Sequence, residues 1–247
     1  MSFLPGMRGL VRGSAPGGGP SPFDIAALSD IVGVYNAAQH TYVERTGGGS
    51  TSSSVDGVIG SWRNLVSGGG AFNAVAPSDA ARATLRAGSG KFWAEFDGSS
   101  DLYDTAWPPG KYAFAAAVRI NSSQIGSYSV IAASGTAGDY SDGTQFEAQV
   151  AGGAWGTYGG GNRPANTNVK DNTDHILIMD GLSSGTFYLD GVSDGTYAAT
   201  QGQDTSHIGG NIGGQAVTMR LYGLALRAAP WGSDRANVEA WLASLMP

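Results

Sequence analysis

Cysteine is absent from this chain of 247 residues, which excludes a disulfide framework, a thiolate nucleophile and a cysteine-ligated zinc site. Charge is also scarce. Charged residues make up 14% of the chain, against roughly 25% in an average globular protein, and the only lysines are Lys91, Lys111 and Lys170. Nucleic-acid binding needs clustered basic side chains to neutralise phosphates. With a net charge of −6, we expect none here.

Long apolar runs are missing as well. No stretch approaches the ~20 consecutive apolar residues of a membrane-spanning helix. Near the start, Pro5 and Gly6 interrupt the apolar residues before they reach the length of a signal peptide. We therefore expect no membrane insertion, and synthesis in a host cytoplasm without a secretion signal.

Glycine is what the chain has in excess, with 40 glycines beside 10 prolines. Short β-branched and aromatic runs alternate with Asp-Gly and other turn signals, at the spacing expected of a β-sandwich. The strand candidates are 31–37, 61–66, 92–96, 111–120, 127–134, 144–153, 175–181, 184–192, 196–200, 207–211 and 218–227. They predict an all-β protein, a two-sheet antiparallel jelly-roll sandwich over residues 24–229.

One helix is predicted after the last strand, over residues 233–246. Ser233 is the expected N-cap, with Asp234 in the first turn. Four apolar residues recur at helical spacing and should pack on the sandwich: Val238, Trp241, Leu242 and Leu245.

Residues 1–23 differ from the rest and are predicted to form an extended docking arm, with residues 24–247 forming the domain. Glycine and proline dominate the arm, so it cannot build a core of its own. We expect it to be ordered against other virion proteins or a second copy of this chain. The docking candidates are Phe3, Leu4, Arg8, Leu10, Val11 and Arg12.

No catalytic set emerges from the sequence. His40, His175 and His207 are far apart along the chain and have no metal-ligand spacing. Glu95 and Asp97 come nearest to the paired carboxylates of a glycosidase, but Asp97 directly precedes a glycine and is expected to form a turn. We therefore predict no enzyme activity and no cofactor.

Calcium is the one cofactor that the sequence leaves open. Asp139, Asp142 and Glu147 form an incomplete version of a calcium-binding loop. An Asp-Gly hairpin turn at 142–143 explains the same residues. We prefer the turn, because several calcium ligands are missing.

Several short motifs resemble a known family. SWRNL at 61–65, followed by KFWAEFDGSSDLY at 91–103, is similar to the opening of concanavalin-A-like (laminin-G-type) jelly-roll domains. Asn64 stands where that family usually has an aspartate. TFYLDGV at 186–192, TMRLYGLALR at 218–227 and the C-terminal helix resemble later parts of the versions found in phage virion and bacterial surface proteins.

The resemblance implies a structural role for the FDGSSDLY segment. It places Phe96 inward, forms a turn at Asp97-Gly98, lets Asp101 satisfy backbone donors, and returns Leu102 to the core. The aspartates of this stretch are then turn residues and not a metal or catalytic site.

The leading interpretation of function is a non-enzymatic virion structural protein of a tailed phage or phage-like particle. It would be a fibre, spike or capsid-decorating module, an oligomer that projects a lectin-like domain toward cell-surface glycans. The alternatives are a stand-alone carbohydrate-binding module and, third, a glycoside hydrolase or lyase of the same fold. The expected glycan contacts lie in the loop at 153–164, where an exposed aromatic could stack on a sugar beside polar donors: Trp155, Tyr158, Asn162 and Arg163.

Overall fold

The computed structural model describes residues 23–47, 49–66, 72–123, 128–136, 139–150, 153–159, 161–201, 206–210 and 215–247. The predicted docking residues of the arm lie outside these ranges. Seventeen strands are assigned within them: β1 (Ile31–Asn36), β2 (Thr41–Tyr42), β3 (Ser61–Trp62), β4 (Ala74–Val75), β5 (Thr84–Gly88), β6 (Lys91–Asp97), β7 (Tyr103–Asp104), β8 (Ala113–Ile120), β9 (Ser129–Thr136), β10 (Asp139–Gln149), β11 (Gly156–Tyr158), β12 (Asn162–Pro164), β13 (Asp174–Gly181), β14 (Gly185–Leu189), β15 (Val192–Tyr197), β16 (His207–Ile208) and β17 (Thr218–Arg227).

The described strands form two antiparallel sheets, which confirms the predicted all-β sandwich. One sheet has the order β15-β14-β13-β8-β17-β6-β5, with β1 also paired to β17. The helix α1 (Arg235–Ala243) packs on its outer face, so we call it the helix-bearing sheet. The other, with the order β12-β11-β10-β9-β16-β7-β4-β3-β2, is the opposite sheet.

The main core lies between the two sheets and contains a continuous series of aromatic rings. Neighbouring rings in the series lie 4.7–6.3 Å apart between centroids, the range in which aromatic pairs add to the stability gained from burial alone. In order of contact they are Trp62, Tyr35, Trp107, Phe114, Phe146, Trp155, Phe187 and Tyr197. Strand alternation explains the pattern, because every second residue of a strand faces this layer.

A second apolar layer lies between the helix-bearing sheet and α1. Val238 and Leu242 are fully buried there, with Trp241 and Leu245 partly buried, as the helical spacing predicts. The predicted helix bounds of 233 and 246 are wrong at both ends, since α1 ends at Ala243 and Leu245 lies just beyond it. Residues Gly232–Asp234 form a 3-10 turn and the helix begins at Arg235.

The FDGSSDLY turn is built largely as the family resemblance implies. Phe96 lies in the main core, and Gly98 has a φ of +74°. The Asp101 carboxylate accepts a hydrogen bond from the backbone N–H of Asp97 at 2.7 Å. One detail is wrong: Leu102 is only partly buried, and the ring of Tyr103 enters the core in its place.

Asn64, which departs from the family pattern, fastens β1 to the segment after β3. Its Oδ1 accepts hydrogen bonds from the backbone N–H groups of Val34 at 3.0 Å and Val66 at 3.1 Å, while its Nδ2 donates to the carbonyl of Val32 at 2.8 Å. The side chain is buried. An amide suits this place because it accepts and donates, which a carboxylate cannot do.

Candidate functional site

Charged side chains lie at matching register positions on three neighbouring strands of the helix-bearing sheet. They are Glu95 in β6, Arg220 in β17 and Arg119 in β8. Arg220 pairs directly with Glu95 on one side and Arg119 on the other, and Arg119 pairs with Asp174 of β13. Paired residues share a face, so these four side chains form a charged row across the sheet.

The charged row faces away from the main core. Phe96 follows Glu95 in β6, Met219 precedes Arg220 in β17, and both are buried between the sheets. Successive residues of a strand point to opposite faces, so Glu95 and Arg220 point outward. A groove of about 250 Å³ lies along the row. Its polar lining side chains are Glu95, Arg119, Asn121, Asn172, Thr218 and Arg220.

Arg119 is held firmly by Asp174. Its Nε and Nη2 donate to the two carboxylate oxygens at 2.8 and 2.5 Å, and the Tyr222 hydroxyl donates to the same carboxylate at 2.7 Å. Burial alone would raise the pKa of Asp174, but the hydrogen bonds from Arg119 and Tyr222 outweigh it and lower that pKa. Asp174 therefore stays ionised and fixes the guanidinium at the groove.

Glu95 forms a salt bridge with Arg86 of the neighbouring strand β5. Arg86 donates through Nε to Glu95 Oε2 at 2.9 Å and through Nη1 to Asp56 at 2.7 Å. Both partners of the Arg86–Glu95 pair are about 40% exposed, so the pair adds little stability. Its consequence is geometric, because it orients the Glu95 carboxylate at the groove.

Arg220 stands apart from these pairs. Its guanidinium lies 4.7 Å from the centroid of the Trp93 ring, and Trp93 in turn packs 6.0 Å from the ring of Tyr222. A hydrogen bond with Arg220 is one influence on the pKa of Tyr222, which burial raises to about 12. Within the described part of the chain, Arg220 forms no salt bridge.

Hydrogen bonds connect two segments at the rim of the groove, around Ser122 and Asn172. Asn172 has a φ of +63°, and its amide exchanges two hydrogen bonds with Ser122, at 3.0 and 2.6 Å. His175 lies nearby and contacts Asp190 at 2.8 Å and Asp171 at 3.2 Å. The hydrogen bond with Asp190 is the main reason that the pKa of His175 is raised.

The predicted glycan residues do not line this groove. Trp155 is fully buried, and its indole Nε1 donates to Asp194 at 2.8 Å. The expectation of an exposed stacking ring at Trp155 is therefore wrong. It fails because β10, β11 and β14 close around the ring, which contacts Phe146 and Phe187.

The other three predicted residues lie on β11 and β12, at the edge of the opposite sheet. Tyr158 and Asn162 are directly paired and partly exposed. Arg163 pairs with Thr157 and so faces the other side of the sheet. Its guanidinium donates to the backbone carbonyls of Gly159 at 3.1 Å and Asn162 at 3.2 Å. The structure therefore brings Tyr158 and Asn162 together and separates Arg163 from them.

The predicted hairpin turn at 142–143 is wrong, because Asp142 and Gly143 lie within β10, where its pairing with β9 is irregular. Asp142 accepts hydrogen bonds from the backbone N–H and hydroxyl of Thr136, at 3.0 and 2.6 Å. Among the residues that the structure describes, no three His, Asp or Glu side chains are grouped so as to hold a metal ion. In that same part of the chain, no helix has the length and apolarity needed to cross a membrane.

Glu147 is an unexpected buried acid in β10. It is 1% exposed, and its Oε2 has no hydrogen-bond partner among the described residues. Burial raises the pKa of Glu147 to about 8, so the carboxyl is mostly protonated at neutral pH. It lies on the opposite sheet, away from the charged row.

Comparison with known proteins supports the fold and goes no further. No family model and no curated protein matches this chain. The binding domain of Paraclostridial Mosquitocidal Protein 1 superposes with a TM-score of 0.54 at 10% identity, over 87% of this chain and 52% of that chain. This chain thus spans about half the length of that structure. The protein is an antiparallel two-sheet β-sandwich.

Two further structures are similar at TM-scores below 0.5, where a likeness carries little weight. One is a Trypanosoma rangeli sialidase in complex with sialic acid (TM-score 0.47, 13% identity, 89% of this chain and 33% of that chain). The other is Domain 4 of AbnA, a GH43 extracellular arabinanase from Geobacillus stearothermophilus, in complex with arabinotriose (TM-score 0.45, 8% identity, 85% of this chain and 97% of that chain).

Proposed function

We propose that this chain is a carbohydrate-binding domain and that the groove on the helix-bearing sheet holds the sugar. The main support is that hydrogen-bond donors and acceptors line the same groove. They are the guanidinium groups of Arg119 and Arg220, the carboxylate of Glu95 and the amide of Asn121. Sugar hydroxyls both donate and accept, so they suit such a mixed lining. Trp93 and Tyr222 form an aromatic pair beside it.

Neutral and acidic glycans on an array, followed by calorimetry of the best ligand, test this proposal. Glu95→Gln keeps the shape of the side chain but removes the charge that accepts hydroxyl hydrogen bonds, and we expect it to weaken binding at least tenfold. Glu44→Gln is the matched control, because it removes the same charge from a partly exposed position after β2, outside the groove. Binding that survives Glu95→Gln but not Tyr158→Ala would move the site to the edge of the opposite sheet.

We propose that the domain binds sugar without catalysing a reaction on it. Glu95 and Asp174 are the carboxylates of the charged row, and they stand three strand spacings apart, about 14 Å. Glycosidase carboxylates stand at most about 9.5 Å apart. Release of reducing sugar from a panel of polysaccharides, abolished by Glu95→Gln, would overturn this part of the proposal.

We further propose that the domain is carried on a tailed-phage or phage-like particle, as an oligomer docked through residues 1–23. The support is the composition of that arm, whose apolar and arginine side chains suit an interface better than a spacer. Deletion of residues 2–22 tests it. Particles that still incorporate the shortened chain at normal occupancy would show that the arm is not the anchor.

A further inference from the structure

The geometry of the groove points to the class of sugar: we infer that it recognises a sugar bearing a single carboxylate, which the Arg220 guanidinium binds. The inference rests on the proposed function and deepens it. It starts from the four charged side chains of the row, all of which except Arg220 form a salt bridge with a described residue.

Three of the four charged side chains in the row form salt bridges. Arg119 donates two hydrogen bonds to Asp174, and Glu95 is paired with Arg86. Arg220 lies between them in the register and has no salt bridge to a described residue. Its charge helps to lower the pKa of Asp174, but a positive charge that lines a groove without a salt bridge still favours an anionic ligand.

The surroundings of Arg220 also leave its donors usable. Its guanidinium carbon lies 4.7 Å from the centroid of the Trp93 ring, a cation–π contact, and a hydrogen bond joins the group to Tyr222. A guanidinium has five N–H donors, so these contacts leave others for a ligand. A planar guanidinium held in this way matches a planar carboxylate, which can accept two parallel hydrogen bonds.

The other groups of the groove limit the ligand to one negative charge. Glu95 and Asp174 flank the two arginines along the row, so a polyanion laid across it would meet a carboxylate at either end. A sugar with one carboxylate avoids this, because its hydroxyls can donate to Glu95 while its carboxylate binds Arg220. Asn121 adds an amide N–H group that donates to no described residue.

The size of the groove sets the length of ligand that it encloses. At about 250 Å³, it falls just below the roughly 300 Å³ at which pockets for drug-sized molecules begin. One sugar unit therefore occupies the groove, and any further units of a chain extend into solvent.

A matched pair of sugars tests the inference on the full chain. D-Glucuronate and D-glucose differ in a carboxylate at one position, and their binding is measured by NMR titration at constant ionic strength. We expect wild-type protein to bind glucuronate at least tenfold more tightly than glucose. Arg220→Gln should abolish this preference, so that the two sugars bind with similar affinity, and Arg220→Lys should restore part of it, since lysine keeps the charge but not the planar fork.

Arg63→Gln is the control for net charge, because Arg63 is exposed and outside the groove. It should leave the preference intact. Equal binding of both sugars, abolished by Glu95→Gln, would overturn the carboxylate inference while the proposed function stands. Binding of neither sugar, nor of any array glycan, would overturn both. Inorganic phosphate that binds as tightly as glucuronate and depends on Arg220 would show a simple anion site and also overturn the inference.

Discussion

Replacement of Glu147 by glutamine should make the stability of the protein less sensitive to pH. The Glu147 carboxyl is buried in β10, and burial raises its pKa from 4.5 to about 8. Glutamine has nearly the same shape and no ionisable group. The substitution therefore removes a titration and leaves the packing of the opposite sheet in place.

The sign of the effect follows from proton binding. Between pH 4.5 and about 8 the folded chain keeps a proton on Glu147 that the unfolded chain has released. Stability falls with rising pH wherever the folded state binds more protons, so this carboxyl destabilises the fold progressively across that window. Each pH unit corresponds to about 1.4 kcal/mol, and the two pKa values differ by about 3.5, which gives roughly 5 kcal/mol as the upper limit.

Urea unfolding of wild type and Glu147→Gln at pH 5, 6, 7 and 8 measures the effect. We expect the variant to gain on the wild type by about 1 kcal/mol per pH unit in this range. The amide can add a constant offset, so the slope of the difference against pH is the test. Asp101, whose pKa burial raises to about 6, titrates in both proteins and cancels.

Glu44→Gln serves as the control. Glu44 is partly exposed, and its pKa is lowered by a hydrogen bond from Thr51, so its removal should not produce a gain that grows with pH. A difference between wild type and Glu147→Gln that stays constant from pH 5 to pH 8 would refute the argument. It would mean that Glu147 ionises in the folded protein as readily as in the unfolded chain.

Four further substitutions test single features of the fold. Trp155→Phe removes the hydrogen bond to Asp194 and should cost about 1–3 kcal/mol in urea unfolding, with glycan binding unchanged. His175→Gln should lower stability below pH 6.5, where the raised pKa of this histidine favours the folded state, and the loss should fade as pH rises through the folded pKa. Asn64→Asp replaces a donor by an acceptor beside a backbone carbonyl and should cost about 1–3 kcal/mol. Gly98→Ala should lower the melting temperature, because φ is +74° and the new methyl would clash with Thr218.

The sequence was sufficient for the architecture because the sandwich rests on alternation. Period-2 patterns and Asp-Gly turns predict the main strands, and the stripe on α1 predicts which helix residues are buried. The helix start was mispredicted for a tertiary reason. Asp234 directs its carboxylate to Arg227 at 3.0 Å and forms no side-chain cap, and Gly232 adopts a φ of +51° that opens a 3-10 turn.

The glycine-rich segment 153–164 shows a different limit. Its glycines suggest an open loop, but several mark close contact between backbones. A Cβ at Gly156 would collide with the carbonyl of Arg163, and one at Gly159 with the carbonyl of Ala199. Glycine permits flexible loops and tight packing alike, and the sequence alone does not distinguish them. The prediction that Trp155 lies on the surface is therefore wrong, because its ring belongs to the core.

The charged row did leave a signal in the sequence. Glu95, Arg119 and Arg220 each interrupt an apolar strand, in AEF, VRI and MRL, and a lone charge between two core residues must point away from the core. What the sequence cannot supply is the strand order. The row crosses β6, β17, β8 and β13, which are adjacent in the sheet but scattered along the chain. The alternation shows that each charge faces outward, and only the pairing shows that they face outward together.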